Sequence, residues 1–252
     1  MKKVSVKGKT LFALVPAMVL VLTWGASFAE KKGNLSGEGL AEIAEGGRLY
    51  DKWWGHLKAD APHDTHPSYP KTGQQKGSAT WRCKECHGWD YKGTRGAYKE
   101  GSHYTGIAGI RNAAGISALE IQKILIDETH RFKKLIPDNQ LKALAAFVKS
   151  GQVEMELYIQ RATKKAKGDP EKGSRIYQTL CAQCHGQDGK LLNFSGNPQN
   201  PEYMGTVANR NPWEALHKIR HGQPGEKMPS MLAFSVQDQI DTLAYTQTLP
   251  EK

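Results

Sequence analysis

Two short segments constrain this chain more than anything else in it. The first reads W-R-C-K-E-C-H-G and contains Cys83, Cys86 and His87; the second reads L-C-A-Q-C-H-G and contains Cys181, Cys184 and His185. Together they use all four cysteines of the 252 residues. Cysteines three apart lie on one face of a helical turn. Each can form a thioether to one vinyl group of a haem, and the histidine that follows then projects toward the iron as its proximal ligand. C-x-x-C pairs also serve as thioredoxin-like redox sites, as halves of a zinc site or as disulfides of secreted chains. None of these needs a histidine directly after the second cysteine of both pairs. The expectation is two covalently bound haem c groups, attached through Cys83, Cys86, Cys181 and Cys184, with iron held by His87 and His185.

The two segments belong to a longer repeat. A shift of 98 residues superposes Cys83, Cys86, His87 and Gly88 on Cys181, Cys184, His185 and Gly186, and it sets His130 against Met228. Histidine and methionine both bind haem iron. After each comes a stretch with apolar residues at helical spacing, Leu141, Leu144, Ala145 and Val148 in the first and Ile240, Leu243 and Ala244 in the second, with a one-residue slip between them. Gly173 and Tyr177 precede Cys181 in a helical register, and Gly46 and Tyr50 are their counterparts. Cys83 follows 33 residues after Tyr50, so the first copy carries an insertion near 51–82, rich in Pro, Gly, His and Trp. The Gly-Asp-Pro break at 168–170 marks a boundary. The expected organisation is a signal peptide over 1–29, a first domain over 30–152, a linker over 153–170 and a second domain over 171–252.

For the second haem the distal ligand expected is Met228, in G-Q-P-G-E-K-M-P-S-M, ahead of Met231 and Met204. For the first it is His130, in D-E-T-H-R-F, ahead of His103 in G-S-H-Y-T-G. His56, His63 and His66, with Asp60 and Asp64, are read as a solvated loop rather than a metal site, and His217 and His221 as surface or propionate-side residues. Trp53, Trp54, Trp81, Trp89, Tyr91 and Trp213 are expected near haem edges. Arg82, Arg210, Lys218 and Arg220 are candidates to pair with propionates.

The start of the chain differs from the rest. Lys2, Lys3, Lys7 and Lys9 precede the apolar run LFALVPAMVLVLTWG, which ends in Ser27-Phe28-Ala29. This is the pattern of a cleaved secretory signal, and the run is shorter than the roughly 20 residues of a spanning helix. Export to the periplasm follows, with no membrane span after cleavage. Losing residues 1–29 removes four lysines and no acid, which lowers the formal charge from +10 to +6. That suffices to steer acidic partners and is too small and scattered to argue for nucleic acid. Hydrophobic residues are 38% of the chain, few for two cores built from side chains alone. Bound cofactors would supply the missing apolar mass.

Taken together, the two C-x-x-C-H motifs, the Gly-x-x-x-aromatic helix before the second, the K-M-P-S segment at Met228 and the closing helices resemble the class I cytochrome c family in its two-domain dihaem form. The resemblance implies an all-α fold of two tandem domains, each wrapped around one haem with its first and last helices crossing. It implies electron transfer between redox partner proteins, a membrane respiratory complex among them, without substrate chemistry and without catalytic residues. Axial pairs of His87 with His130 and of His185 with Met228 would make the first haem the lower in potential. The alternatives are a dihaem oxidoreductase of the peroxidase or sulfur-compound dehydrogenase type, and a haem subunit of a larger respiratory complex. Known thiosulfate dehydrogenases use a distal cysteine, and here all four cysteines are needed for attachment.

Overall fold

The computed structural model describes Met1 and residues 37–252. The expected signal segment, apart from Met1, lies outside the described residues, as do the first residues of the expected first domain. In each half of the rest, a first helix crosses a last one at a glycine. Helix α1 (Gly37–Leu57) is followed by the short helix α2 (Cys83–His87) that spans the first C-x-x-C-H motif, then α3 (Ala118–Leu125) and α4 (Asp138–Ala146), which runs on into a wide π turn. A Cβ at Gly46 of α1 would lie 2.1 Å from the Ala143 carbonyl oxygen of α4, a gap that only hydrogen fills. The second half repeats the plan with α5 (Pro170–Leu180), the short helix α6 (Ala182–His185) at the second C-x-x-C-H motif, α7 (Met204–Arg210), α8 (Pro212–His221) and α9 (Val236–Thr246). A Cβ at Gly173 of α5 would lie 1.9 Å from the Asp241 carbonyl oxygen of α9.

Beside each crossing, an aromatic pair closes the contact. The rings of Tyr50 and Phe147 are 5.1 Å apart, and those of Tyr177 and Tyr245 are 5.2 Å apart. Ala143 and Asp241, like Phe147 and Tyr245, are separated by 98 residues, so the crossings align without the slip that the apolar pattern implies. The pattern misleads because a polar residue faces inward. The buried Asp241 carboxylate accepts from the Asp169 backbone N–H at 2.8 Å and from Gln237 at 2.7 Å. Its partner Asp169 is the N-cap of α5, its side chain accepting from the N–H groups of Glu171 and Lys172, with Pro170 in the first turn. The Gly-Asp-Pro break is thus a helix start. Capping boxes open α3 at Ser117 and Glu120, and α9 at Ser235 and Asp238.

The segment 153–170 is packed rather than free. Met155 and Ile159 are buried, and a small hairpin pairs β1 (Ile159–Gln160) with β2 (Lys165–Ala166). The Ala166 N–H donates to Gln247 next to the end of α9 at 2.9 Å. In the insertion, residues up to Leu57 continue α1, a loop follows, and a 3₁₀ turn over Gly77–Trp81 leads into α2. The fold is helix-rich, and among the described residues no helix is long and apolar enough to cross a membrane.

The two halves share one apolar core, and residues 37–252 belong to one compact unit. The seam between them is α8 laid on α1. Gly47 faces the His221 ring so closely that a Cβ would sit 2.3 Å from it. His217 and His221 are fully buried here, not at the surface as their sequence context suggested. The His217 Nε2–H donates to the Gly47 carbonyl at 2.9 Å, so Nδ1 is the acceptor for the Tyr91 hydroxyl at 2.8 Å. Arg48 donates to the His221 carbonyl at 2.8 Å, at the end of α8.

Charge joins the halves as well. Asp51 is 1% exposed and is paired with Arg82 and, at 2.6 Å, with Lys218 of α8. At the next residue, Lys52, α1 leaves helical geometry, and the Asp51 carbonyl accepts from Arg82 Nε at 2.7 Å. Trp89 lies against the same group, with the charged ends of Arg82, Lys84 and Lys218 within 5.4–5.7 Å of its ring. Burial by itself would raise the Asp51 carboxyl, but the Lys218 ammonium and the Arg82 guanidinium overcome that and hold it well below its ordinary 3.8.

Two outcomes follow from the seam. Gly47→Ala overpacks α1 against α8 and should cost about 1–3 kcal/mol in denaturant unfolding. Asp51 releases its proton more readily folded than unfolded, so its contribution is complete above pH 3.8 and fades as the pH falls below that. Asp51→Asn strands two cations; stability at neutral pH should drop by about 3 kcal/mol, and the acid limb of stability against pH should flatten.

Candidate functional site

The two C-x-x-C-H helices end in the same way. Gly88 closes α2 at φ 80°, ψ 156°, and Gly186 closes α6 at φ 84°, ψ 155°, a backbone that favours glycine. The Tyr50 hydroxyl donates to the Gly88 carbonyl at 2.6 Å, and the Tyr177 hydroxyl donates to the Gly186 carbonyl at 3.0 Å. Six residues past each histidine the chain folds back on it. The Gly93 N–H donates to the His87 carbonyl at 2.9 Å, and the Leu191 N–H to the His185 carbonyl at 3.0 Å. Asp90 and Asp188 brace the intervening turns by accepting from the N–H groups of Lys92 and Lys190. The tyrosine of each crossing helix therefore fixes the turn that presents the cysteines and histidine.

All four thiols are free. Burial pushes Cys83 and Cys86 up to about 12 and Cys181 up to about 11, the opposite of the lowered values that reactive dithiols show. Among the described residues no group of three or more His, Cys, Asp or Glu side chains gathers to hold one metal ion. The surroundings fit a flat apolar group instead. Leu180, Leu191, Leu192 and Phe194, in the segments on either side of Cys181–His185, are large hydrophobic side chains exposed by 40–65%. The Phe194 ring lies 6.0 Å from that of His185. Burial lowers the His185 pKa and leaves the ring neutral, the form that binds metal.

The first site has a defined polarity. His87 Nδ1 lies 2.7 Å from the Ala108 carbonyl, which can only accept, so Nδ1 carries the proton and Nε2 the lone pair. Burial depresses the His87 pKa to about 4 against the help of that carbonyl. Across from it stands His130, with ring centres 6.3 Å apart and planes 20° from parallel. Two imidazoles sharing one metal through bonds of about 2 Å place their centres roughly 6 Å apart. His130 Nδ1 is engaged by Asp127 at 3.2 Å, which leaves Nε2 as its available nitrogen too. Asp127 also accepts from the backbone N–H groups of Thr129 and His130.

His103 is committed elsewhere. Its Nδ1 lies 2.5 Å from the Glu85 carboxylate and its ring stacks on Tyr98, while Glu85 also pairs with Lys84 at 2.6 Å. The two variable residues of the first C-x-x-C thus form a buried ion-pair network that spacing alone does not announce. His56 pairs with Glu45, His63 is exposed, and His66 is buried rather than part of a solvated loop.

In the second half, Met228 is half-buried on the loop between α8 and α9, its carbonyl oxygen 2.5 Å from where a Cβ of Gly222 would be. Met231 belongs to the core, its N–H donating to Ile219 and its carbonyl accepting from Gln239. Met204 begins α7. The structure thus brings His130 to His87, while the ring beside His185 is Phe194. Of the propionate candidates, Arg82 and Lys218 are held by Asp51, Arg220 by Gln239 and the Gly151 carbonyl, and Arg210 by Glu202. Trp53, Trp54, Trp89, Tyr91 and Trp213 are buried in the core.

Residues 168–245 match the family model described as cytochrome C oxidase, cbb3-type, subunit III. No curated protein and no solved structure gives a significant match to the chain. The matched stretch contains Cys181, Cys184, His185 and Met228. What the match supports, on a segment whose turn, free thiols and neutral imidazole fit that cofactor, is a c-type cytochrome carrying covalently bound haem c.

Proposed function

We propose that the protein is a periplasmic dihaem c-type cytochrome that carries single electrons between redox partners. The observation that carries this reading is the equivalence of the two attachment turns, down to the Tyr50–Gly88 and Tyr177–Gly186 hydrogen bonds. A turn that supports covalent haem at Cys181, Cys184 and His185 recurs at Cys83, Cys86 and His87, in two tandem cytochrome c-like domains fused along a common seam. Bound haem iron supplies the one-electron couple. The chain supplies the thioether anchors, the axial imidazoles and the dry surroundings.

His87 and His130 are the proposed ligands of the first iron, and His185 and Met228 of the second. Facing imidazoles with both Nε2 atoms available support the first pair. A methionine ligand raises the potential relative to bis-histidine ligation, so electrons enter at the first site and leave from the second. Each tenfold bias requires about 59 mV. A second reading, a haem subunit of a respiratory complex, is favoured by the description of the matching family. Co-purification with a membrane oxidoreductase would select it over a diffusing shuttle.

Expressed with its leader in a host competent in cytochrome maturation, the protein should gain the mass of two haems. Replacing Cys181 and Cys184 with Ser should leave one. In a redox titration with optical spectra, His130→Ala should move the lower of two midpoint potentials, leave the upper one in place and open the first iron to carbon monoxide. An unchanged lower potential would remove His130 from the ligand set. Saturation of the unaltered reduced protein by carbon monoxide at low gas concentration would favour a peroxidase-like oxidoreductase.

A further inference from the structure

We infer that the insertion in the first half holds the His130 turn in place, with His66 as the positioning residue and Ser68 as its second contact. The inference rests on the proposed ligation of the first iron by His87 and His130. His66 sits in a loop without regular structure, yet it is only 8% exposed. Its backbone N–H donates to Thr80 Oγ1 at 2.8 Å, tying it to the turn that leads into Cys83. Its Nδ1 accepts from the Ser68 N–H at 3.1 Å, so the ring proton is on Nε2, which donates to the His130 carbonyl at 3.1 Å. The Ser68 hydroxyl donates to the neighbouring Thr129 carbonyl at 2.7 Å.

The His66 ring also packs edge-on against Trp81 at 4.3 Å, and lies 6.2 Å from Phe132. It thereby links the attachment side of the site, two residues before Cys83, to the turn that carries His130. That turn needs an external hold. His130 is 27% exposed, and the next residue, Arg131, adopts φ 60°, a left-handed conformation disfavoured for a side chain of its size. Asp127 shapes the turn from within; the two bonds from the insertion fix where it stands. A ligand held at both its ring and its carbonyl stays on the metal, as a carrier requires.

The test uses the full protein with both haems. In the His66→Ala, Ser68→Ala double variant, two bonds to the turn are lost. Carbon monoxide occupancy of the reduced first haem at fixed gas concentration should rise about tenfold, and hydrogen exchange at the Thr129 and His130 amides should quicken by a similar factor. His66→Gln, whose amide can donate to the same carbonyl, should restore most of both. Spectra of the second haem should not change, which separates this role from general loss of fold. If the double variant does not accumulate, Ser68→Ala alone, at an exposed position, gives the same readouts at smaller amplitude. Wild-type gas binding and wild-type exchange in the variants would overturn the inference. His130→Ala is the control: if it fails to open the first iron, the ligation is wrong, and the exchange rates alone then judge the clamp.

Discussion

At Gly46 and Gly47, helix α1 meets two other helices and has room for a side chain toward neither. Gly46 lets α4 approach until a backbone carbonyl fills the space of a missing Cβ, and Gly47 does the same for the His221 ring of α8. The first contact closes the first half on itself and places Tyr50 where its hydroxyl reaches Gly88. The second binds the two halves together. Two adjacent residues on one helix point about 100° apart, so a single Gly-Gly step serves both contacts. Everything downstream, from the attachment turn to the buried seam, depends on these approaches.

Within the shared apolar core, polar groups cross the seam at fixed points. His217 uses both ring nitrogens within it, Arg48 satisfies the end of α8, and Asp51 gathers Arg82 and Lys218. Such groups contribute modestly to net stability but penalise any misalignment, because each would be left buried and unpaired. Apolar contacts alone would tolerate sliding. This seam admits a single register of α8 on α1, and so holds the two attachment sites in a fixed relation.

The first site shows how an insertion can be absorbed. Its loop adds aromatic rings and two hydrogen bonds around the His130 turn, with Phe132 packed among Trp53, His66 and Trp81. The second half lacks this segment; its corresponding loop is shaped by Gly222 and Gly225, whose backbones pack against Met228 and Gly55. The two halves thus share the turn that carries the C-x-x-C-H motif and differ around the residues proposed as distal ligands, His130 and Met228.

The sequence by itself determined the two C-x-x-C-H turns from which haem attachment is proposed, because cysteine spacing and the adjacent histidine are local. It also determined the repeat of 98 residues and the equivalence of Gly46 and Tyr50 with Gly173 and Tyr177, while the Gly-Asp-Pro segment, read as a break, is the start of a helix. It misjudged what depends on partners distant in the chain. His217 and His221 looked like surface or propionate-side residues because polar side chains are usually solvated, and it is α1, Tyr91 and Phe147, all distant in the chain, that bury them. His66 looked solvated for the same reason, until the fold brought the His130 carbonyl to its ring. The apolar period slipped at α9 because Asp241 faces inward, satisfied by a backbone donor 72 residues away. Local spacing fixes covalent chemistry; whether a polar group is buried, and for what purpose, is decided by which distant donor or acceptor the tertiary structure delivers to it.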